Sequence, residues 1–319
     1  MLSRVADALF WMSRYLERAE HIARLLDISF HLELDLHGVA VGAGEQESAA
    51  LSSILNAPMR GASYTGGETT SIQDWLTLDD ENPNSIMSCV NRARNNARSV
   101  RGAISPSIWR ELNKLYWQLK DPEFMARALE SPHDFYGAVE TGCQLFQGLC
   151  DATLLQDEGW QFIRLGRFLE RADITLRIID VKYRHLQHMS DGPELPILNL
   201  KWAAVLKTCL AYEAYQRLYI SRVEPERVVA FLLLHPHFPH AVRFCLEEAS
   251  RAVAELEGDA SRQSSERRVD RLLGQTLSDL RYIDLDSVFR TGLHPFLAGT
   301  LKRCGEASLA IQEQYALNY

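Results

Sequence analysis

Six charged residues recur in two short copies: Arg14, Glu17 and Arg18 near the start, and Arg167, Glu170 and Arg171 at mid-chain. The segments read Arg14-Tyr15-Leu16-Glu17-Arg18-Ala19-Glu20 and Arg167-Phe168-Leu169-Glu170-Arg171-Ala172-Asp173. Guanidinium groups are rigid forks of donors that grip carboxylates and phosphates. The four arginines are therefore candidates for holding an anionic group or an acidic peptide. Glu17 and Glu170 are candidate general acids or bases, yet no His, Ser or Cys accompanies both copies, and His21 is replaced by Ile174 in the second. The preferred alternative is structural. Arg18 is flanked by Trp11, Ile22 and Leu25, and Arg171 by Thr175 and Ile178. Such an arginine is expected to be partly buried against an acidic partner, so charges held in both copies would lock the halves through a salt-bridge network. On a helical wheel Leu16, Ala19, Ala23 and Leu26 mark the buried centre and Glu17 points away from it. Glu20–Arg24 and Asp173–Arg177 are i,i+4 pairs in the favourable order, worth about 0.2–0.5 kcal/mol each when exposed.

Other constellations carry less chemistry. His235-Pro236-His237-Phe238-Pro239-His240 resembles a metal-ligand cluster, but its prolines splay the histidines and the first copy has Asp79-Asp80-Glu81-Asn82-Pro83-Asn84 there. A turn before a helix explains it better, and no metal or other cofactor is expected. Arg92, Arg94, Arg98 and Arg101 form a basic stripe that suits a solvated face or an acidic partner. Cys143 and Cys150 lie seven apart on one helix face and read as core. The chain has no Gly-x-Ser-x-Gly elbow, no His-Glu-x-x-His pair and no phosphate-cradling Gly-Lys-Ser/Thr ending. No catalytic residue is assigned.

The elements that must position these residues are helices. Apolar residues at Val5, Leu9, Met12, Leu16, Ala19, Ala23 and Leu26 recur in steps of three and four, and Leu165, Leu169, Ala172, Leu176 and Ile179 repeat the pattern. An offset of 153 relates the copies and carries Arg24 onto Arg177 and Asp27 onto Asp180. A second correspondence, at an offset of 156, relates Asn82-Pro83-Asn84-Ser85-Ile86 to Phe238-Pro239-His240-Ala241-Val242, with Cys89 on Cys245. Each proline is expected in the first turn of a helix. Further helices are expected over 86–104, 108–119, 124–129, 135–149, 202–219, 241–256, 266–280 and 296–314. Ser105-Pro106, Asp121-Pro122, Ser131-Pro132 and Gly192-Pro193 are expected to separate helices. The glycine-rich stretch from His37 to Thr70 reads as mobile loops around one short helix near 49–55. The expected fold is all-α: an internally duplicated helical bundle with pseudo-two-fold related halves, residues 1–152 and 153–319.

Composition excludes several classes. A net charge of −8 over 319 residues argues against a general nucleic-acid binder, which needs a cationic surface to displace counterions. The longest aliphatic run, Val228 to Leu234, is far short of a membrane span. Asp7 falls where a signal peptide needs an apolar run. Six cysteines without a Cys-x-x-Cys pair fit buried free thiols in a reducing cytoplasm.

The doubled Leu-Glu-Arg-Ala-(Glu/Asp) motif, the Glu158-Gly159-Trp160-Gln161-Phe162 lead-in to the second copy, and the two Pro-containing helix starts together resemble the bacterial Alpha-E family. The resemblance runs from Met1 to about Gln314, and it singles out Glu17, Arg18, Glu170 and Arg171. It implies a context: such proteins are typically encoded beside, or fused to, ATP-grasp ligases, transglutaminase-like peptidases and proteasome-related hydrolases. The function expected on that basis is a non-catalytic helical partner or scaffold of an ATP-grasp-type peptide or amide ligase, holding the ligase or presenting its peptide substrate. The alternatives are a hydrolase or transferase acting on the same peptide through a Glu–Arg pocket, and a homo-oligomeric scaffold.

Overall fold

The computed structural model describes residues 1–36, 43–55, 71–186, 195–220, 223–257 and 268–315. All fifteen elements among the described residues are α-helices, as the periodicity requires. By contact the chain divides into two compact units: Met1–Phe30 with Asn56–Arg167 and Ala316–Tyr319, and His31–Leu55 with Phe168–Tyr315.

The first unit takes most of α1 (Ser3–Leu36), then α3 (Ile72–Thr77), α4 (Ile86–Ser99), α5 (Pro106–Lys120), α6 (Pro122–Glu130), α7 (Pro132–Thr153) and the start of α8 (Glu158–Leu186). Helix α3 packs on α4, α4 on α5, α5 on α7, and α6 on both α5 and α7. Their buried stripes show why. Cys89, Val90, Ala93 and Ala97 line α4; Ile108, Leu112, Leu115 and Leu119 line α5; Phe135, Val139, Cys143, Phe146 and Cys150 line α7. Each set steps by three or four residues, so each lies on one helix face. The expected punctuation holds at α5 and α6. Ser105 and Asp121 cap them by accepting from the amides of Ile108 (3.3 Å) and Phe124 (2.8 Å), and each is followed by proline at the first helical position. Gly166 brings α8 close to α1: a Cβ there would lie 2.4 Å from the Phe10 carbonyl oxygen.

The second unit holds α2 (Ala43–Ile54), α9 (Leu195–Thr208), α10 (Tyr212–Leu218), α11 (Pro225–Leu234), α12 (Val242–Glu257), α13 (Arg268–Tyr282), α14 (Leu285–Thr291), α15 (Leu293–Gln314), the end of α1 and the rest of α8. Here α11 packs on α12, α12 on α13, α13 on α15 and α14 on α15. The buried stripes are Val242, Cys245, Leu246, Ala249 and Val253 on α12, Val269, Leu273, Thr276 and Leu280 on α13, and Thr300, Cys304, Ala307 and Ile311 on α15.

Three expectations need correction. Residues 202–219 are not one helix: α9 and α10 are separated at Leu210, whose φ of 50° is left-handed. The Ala211 amide donates to the Leu206 carbonyl (2.8 Å) and the Leu210 amide to that of Lys207 (3.0 Å). This paired closure ends a helix and ordinarily uses glycine; with leucine there, the apolar pattern runs on unbroken. Pro83 and Pro239 do not stand in first helical turns. They occupy the second positions of tight turns before α4 and α12, closed by the Ser85 amide on the Asn82 carbonyl (3.1 Å) and the Ala241 amide on that of Phe238 (2.9 Å). The helix expected near 49–55 begins earlier, at Ala43. The rest of the glycine-rich stretch, residues 37–42 and 56–70, and the Gly192-Pro193 turn lie outside the described residues.

Candidate functional site

The first Glu-Arg copy sits on α1, which is buried on nearly every side at this point. Glu17 and Glu20 are each 1% exposed, His21 0% and Arg24 2%. The wheel placed Glu17 on an outward face; it is interior instead, and the Glu20–Arg24 pair is equally enclosed. A charge can be buried only if it is paired and hydrogen-bonded, and α7 supplies the partners. Gln147 Nε2 donates to Glu17 (3.1 Å) and to Glu20 (2.9 Å), and Gln144 donates to Glu20 (3.4 Å). Arg24 donates to Glu20 through a terminal nitrogen and to Glu140 through Nε at 3.1 Å. Burial works against the Arg24 charge, but the carboxylates of Glu20 and Glu140 outweigh it and leave its pKa raised. His21 Nδ1 lies 2.8 Å from the Glu17 carbonyl and 3.4 Å from its carboxylate. A carbonyl only accepts, so the His21 proton is on Nδ1.

The arginines of the motif do something different. Arg18 donates to Asn84 Oδ1 at 2.5 Å. That asparagine belongs to the turn before α4, which Asn82 fastens by accepting from the Asn84 amide (2.9 Å) and donating to the Trp75 carbonyl (2.9 Å). In the second unit Arg171, 6% exposed, donates to the Pro239 carbonyl at 3.3 Å, in the turn before α12. Its guanidinium also lies 5.6 Å from the Phe168 ring centroid. These partners are a side-chain amide and a backbone carbonyl, each within the unit of its own arginine. Each arginine ties its own helix to the turn that starts another.

Arg14 is half-buried, with its guanidinium 5.1 Å from the Trp11 ring and 5.6 Å from that of Phe10. Arg167 lies 3.6 Å from Asp151 at the end of α7. Glu170 is 2% exposed. In the first unit the structure brings Arg14 beside Gly166, the neighbour of Arg167, at 3.3 Å from its Cβ position. Glu170 and Arg171 belong to the second unit. The expected Asp173–Arg177 pair is present at 2.6 Å and half-exposed.

Cysteine chemistry is disfavoured in the described structure. All six thiols are free and buried. Burial pushes Cys150 and Cys304 up to about 12, and raises Cys143 well above the ordinary thiol range with help from Glu20 and Glu17; a thiolate nucleophile needs the opposite environment. His235 and His237 do not converge as ligands: the His237 amide donates to His235 Nδ1 (3.3 Å) in the turn after α11. Two cavities are described, and motif residues line neither. One, bordered by Glu33, Glu47, Lys182, His185 and Lys201, has a volume of about 30 Å³, room for a water molecule or two. The other is an open groove of about 380 Å³ beside Leu115, Gly137, Thr141 and Gly142.

Sequence reasoning missed one pair of contacts. Asp27 meets His133 Nδ1 at 2.8 Å at the start of α7, and Asp180 meets His294 Nδ1 at 2.6 Å at the start of α15. The signal was present: an offset of 161 carries His133 onto His294 and Cys143 onto Cys304.

A family model described as a predicted alpha-helical domain with a conserved ER motif, Alpha-E, matches residues 1–316. An uncharacterized protein of Mycobacterium bovis is 25% identical over 317 aligned positions, covering 93% of this chain and 35% of the relative. An uncharacterized protein of Mycobacterium tuberculosis is 24% identical over the same coverage. The chain thus spans about a third of the length of these relatives. No solved structure matches it. With Leu-Glu-Arg-Ala standing at residues 16–19 and again at 169–172, and the family model matching residues 1–316, the chain belongs to the Alpha-E family.

Proposed function

We propose that this protein is a non-catalytic helical partner, built by internal duplication, that serves an ATP-grasp-type peptide or amide ligase by holding the ligase or presenting its peptide substrate. The observation that carries the reading is the length of the relatives. They hold this segment in chains of which it makes up 35%, as expected of a module that works joined to other protein. The burial of Glu17 and Glu170 supports a structural part for the motif, since an acid enclosed in a helix core does not meet a substrate from solvent. Free thiols throughout suit a reducing compartment, and we place the protein in the cytoplasm. A transglutaminase-like peptidase or a proteasome-related hydrolase would be a further member of the same system.

The duplication is supported by three offsets. Besides 153 for α1 with α8 and 156 for α4 with α12, an offset of 161 carries Ile108, Leu112, Leu115 and Leu119 onto Val269, Leu273, Thr276 and Leu280. It also carries Val139, Cys143, Phe146 and Cys150 onto Thr300, Cys304, Ala307 and Ile311. The order of packing is the same in each unit, and the equivalent residues Arg18 and Arg171 each hold the turn before an equivalent helix.

The test is copurification of the full chain with the ATP-grasp protein encoded beside it. A defined complex that survives Glu17→Gln and Glu170→Gln is expected. No complex at micromolar concentration would remove the ligase from the reading. Turnover of a peptide or amide by the purified chain, abolished by Glu17→Gln, would replace a partner with an enzyme.

A further inference from the structure

The outer face of α4 and α5 in the first unit carries an ordered array of cations and rings. Arg94 and Arg98 on α4 and Arg101 just beyond it follow at steps of four and three, so they share one face. Trp109, Asn113, Tyr116 and Lys120 do the same on α5. The Arg101 guanidinium lies 4.3 Å from the Trp109 ring. That of Arg94 lies 4.4 Å from Tyr116, 5.5 Å from Trp117 and 5.8 Å from Trp109. Lys120 Nζ stands 5.4 Å from Tyr116. Arg94 Nε donates to Asn113 Oδ1 at 2.9 Å, which leaves its terminal N–H groups for a ligand. Trp117 is 57% exposed, and Arg98 and Arg101 are exposed with no ion pair among the described residues.

From this geometry we infer that the α4–α5 face is a docking surface for a carboxylate-rich polypeptide segment of a partner protein. Charge complementarity selects the occupant. Arg94, Arg98, Arg101, Arg110, Lys114 and Lys120 face a single carboxylate on these two helices, Glu111, in a chain whose net charge is −8. Stacking on the rings holds Arg94 and Arg101 in place before binding, so less side-chain freedom is lost on contact. The N–H edge of a guanidinium meets a carboxylate through two parallel hydrogen bonds. Trp, Tyr and Arg are also the side chains in which interface binding energy concentrates. A nucleic acid fits less well. The guanidiniums already cover ring faces on which bases would stack, and the acidic remainder of the chain repels a long phosphate backbone. A short acidic segment needs only the local cations. The inference holds whether or not the partner is a ligase.

The experiment titrates the full chain with a glutamate-rich peptide, following tryptophan fluorescence and the salt dependence of binding. Saturable binding is expected, weakened about tenfold or more by Arg98→Glu with Arg101→Glu and unchanged by the reversals Arg290→Glu with Lys302→Glu in the second unit. Circular dichroism checks that both exposed double variants keep the helical fold. No saturable binding, equal loss from the distal pair, or tighter binding of oligothymidylate than of the peptide would each overturn the inference.

Discussion

Asp7 lies in the first turns of α1 with its carboxyl pushed up to about 6 by burial, only partly offset by a hydrogen bond with Trp11. Its Oδ1 is enclosed without a hydrogen bond among the described residues. An acid whose folded pKa exceeds its ordinary 3.8 contributes stability that is complete below that value and is lost as pH rises through about 6. Asp7→Asn is therefore expected to leave stability unchanged near about pH 3 and to raise it by about 1 kcal/mol near about pH 8, read from urea midpoints. His133 runs in the same sense for a different reason, because its hydrogen bond to Asp27 and the charge of that carboxylate stabilise the protonated ring and raise its pKa; its contribution is complete below the ordinary histidine value and lost as pH rises through the raised one. At this scale the sequence located Glu17 and a half-buried Arg18 but misread the surroundings of Glu17. The wheel assumes one buried stripe, and α1 has buried residues all around its circumference from Tyr15 to Glu17 and from Ala19 to Asp27.

Helix ends are where elements escaped the sequence. The starts of α5 and α6 were legible because Ser105-Pro106 and Asp121-Pro122 state their chemistry locally. The break at Leu210 was not, because a leucine in a left-handed conformation costs about 1–2 kcal/mol and is held there only by surrounding structure. Leu210 is 41% exposed, so replacing it sacrifices little burial. Leu210→Gly is expected to stabilise the protein by about 0.5–1 kcal/mol, measured as a higher denaturation midpoint with unchanged slope. A lower midpoint would mean that the leucine side chain contributes more than its backbone strain costs.

Across the whole molecule, the thiols report on the fold. Cys89, Cys143, Cys150, Cys209, Cys245 and Cys304 are all buried. The native chain is expected to resist a thiol reagent at neutral pH and to release six equivalents on unfolding, at a rate set by opening of the structure. Fast labelling of the native protein would show that these cores open locally. The number of cysteines, the helical periodicity, the doubled Glu-Arg motif and the family it signals were all determined by the sequence alone, because each is written in local spacing. Only the tertiary structure decided that Glu17 and Glu20 are interior, that Gln147 and Glu140 of α7 bind them and Arg24, and that Arg18 and Arg171 each reach the turn before another helix. The physical reason is that a buried charge is stable only where hydrogen-bond partners converge on it. Those partners lie more than a hundred residues away along the chain for Glu17, Glu20 and Arg24, a distance no helical period can express.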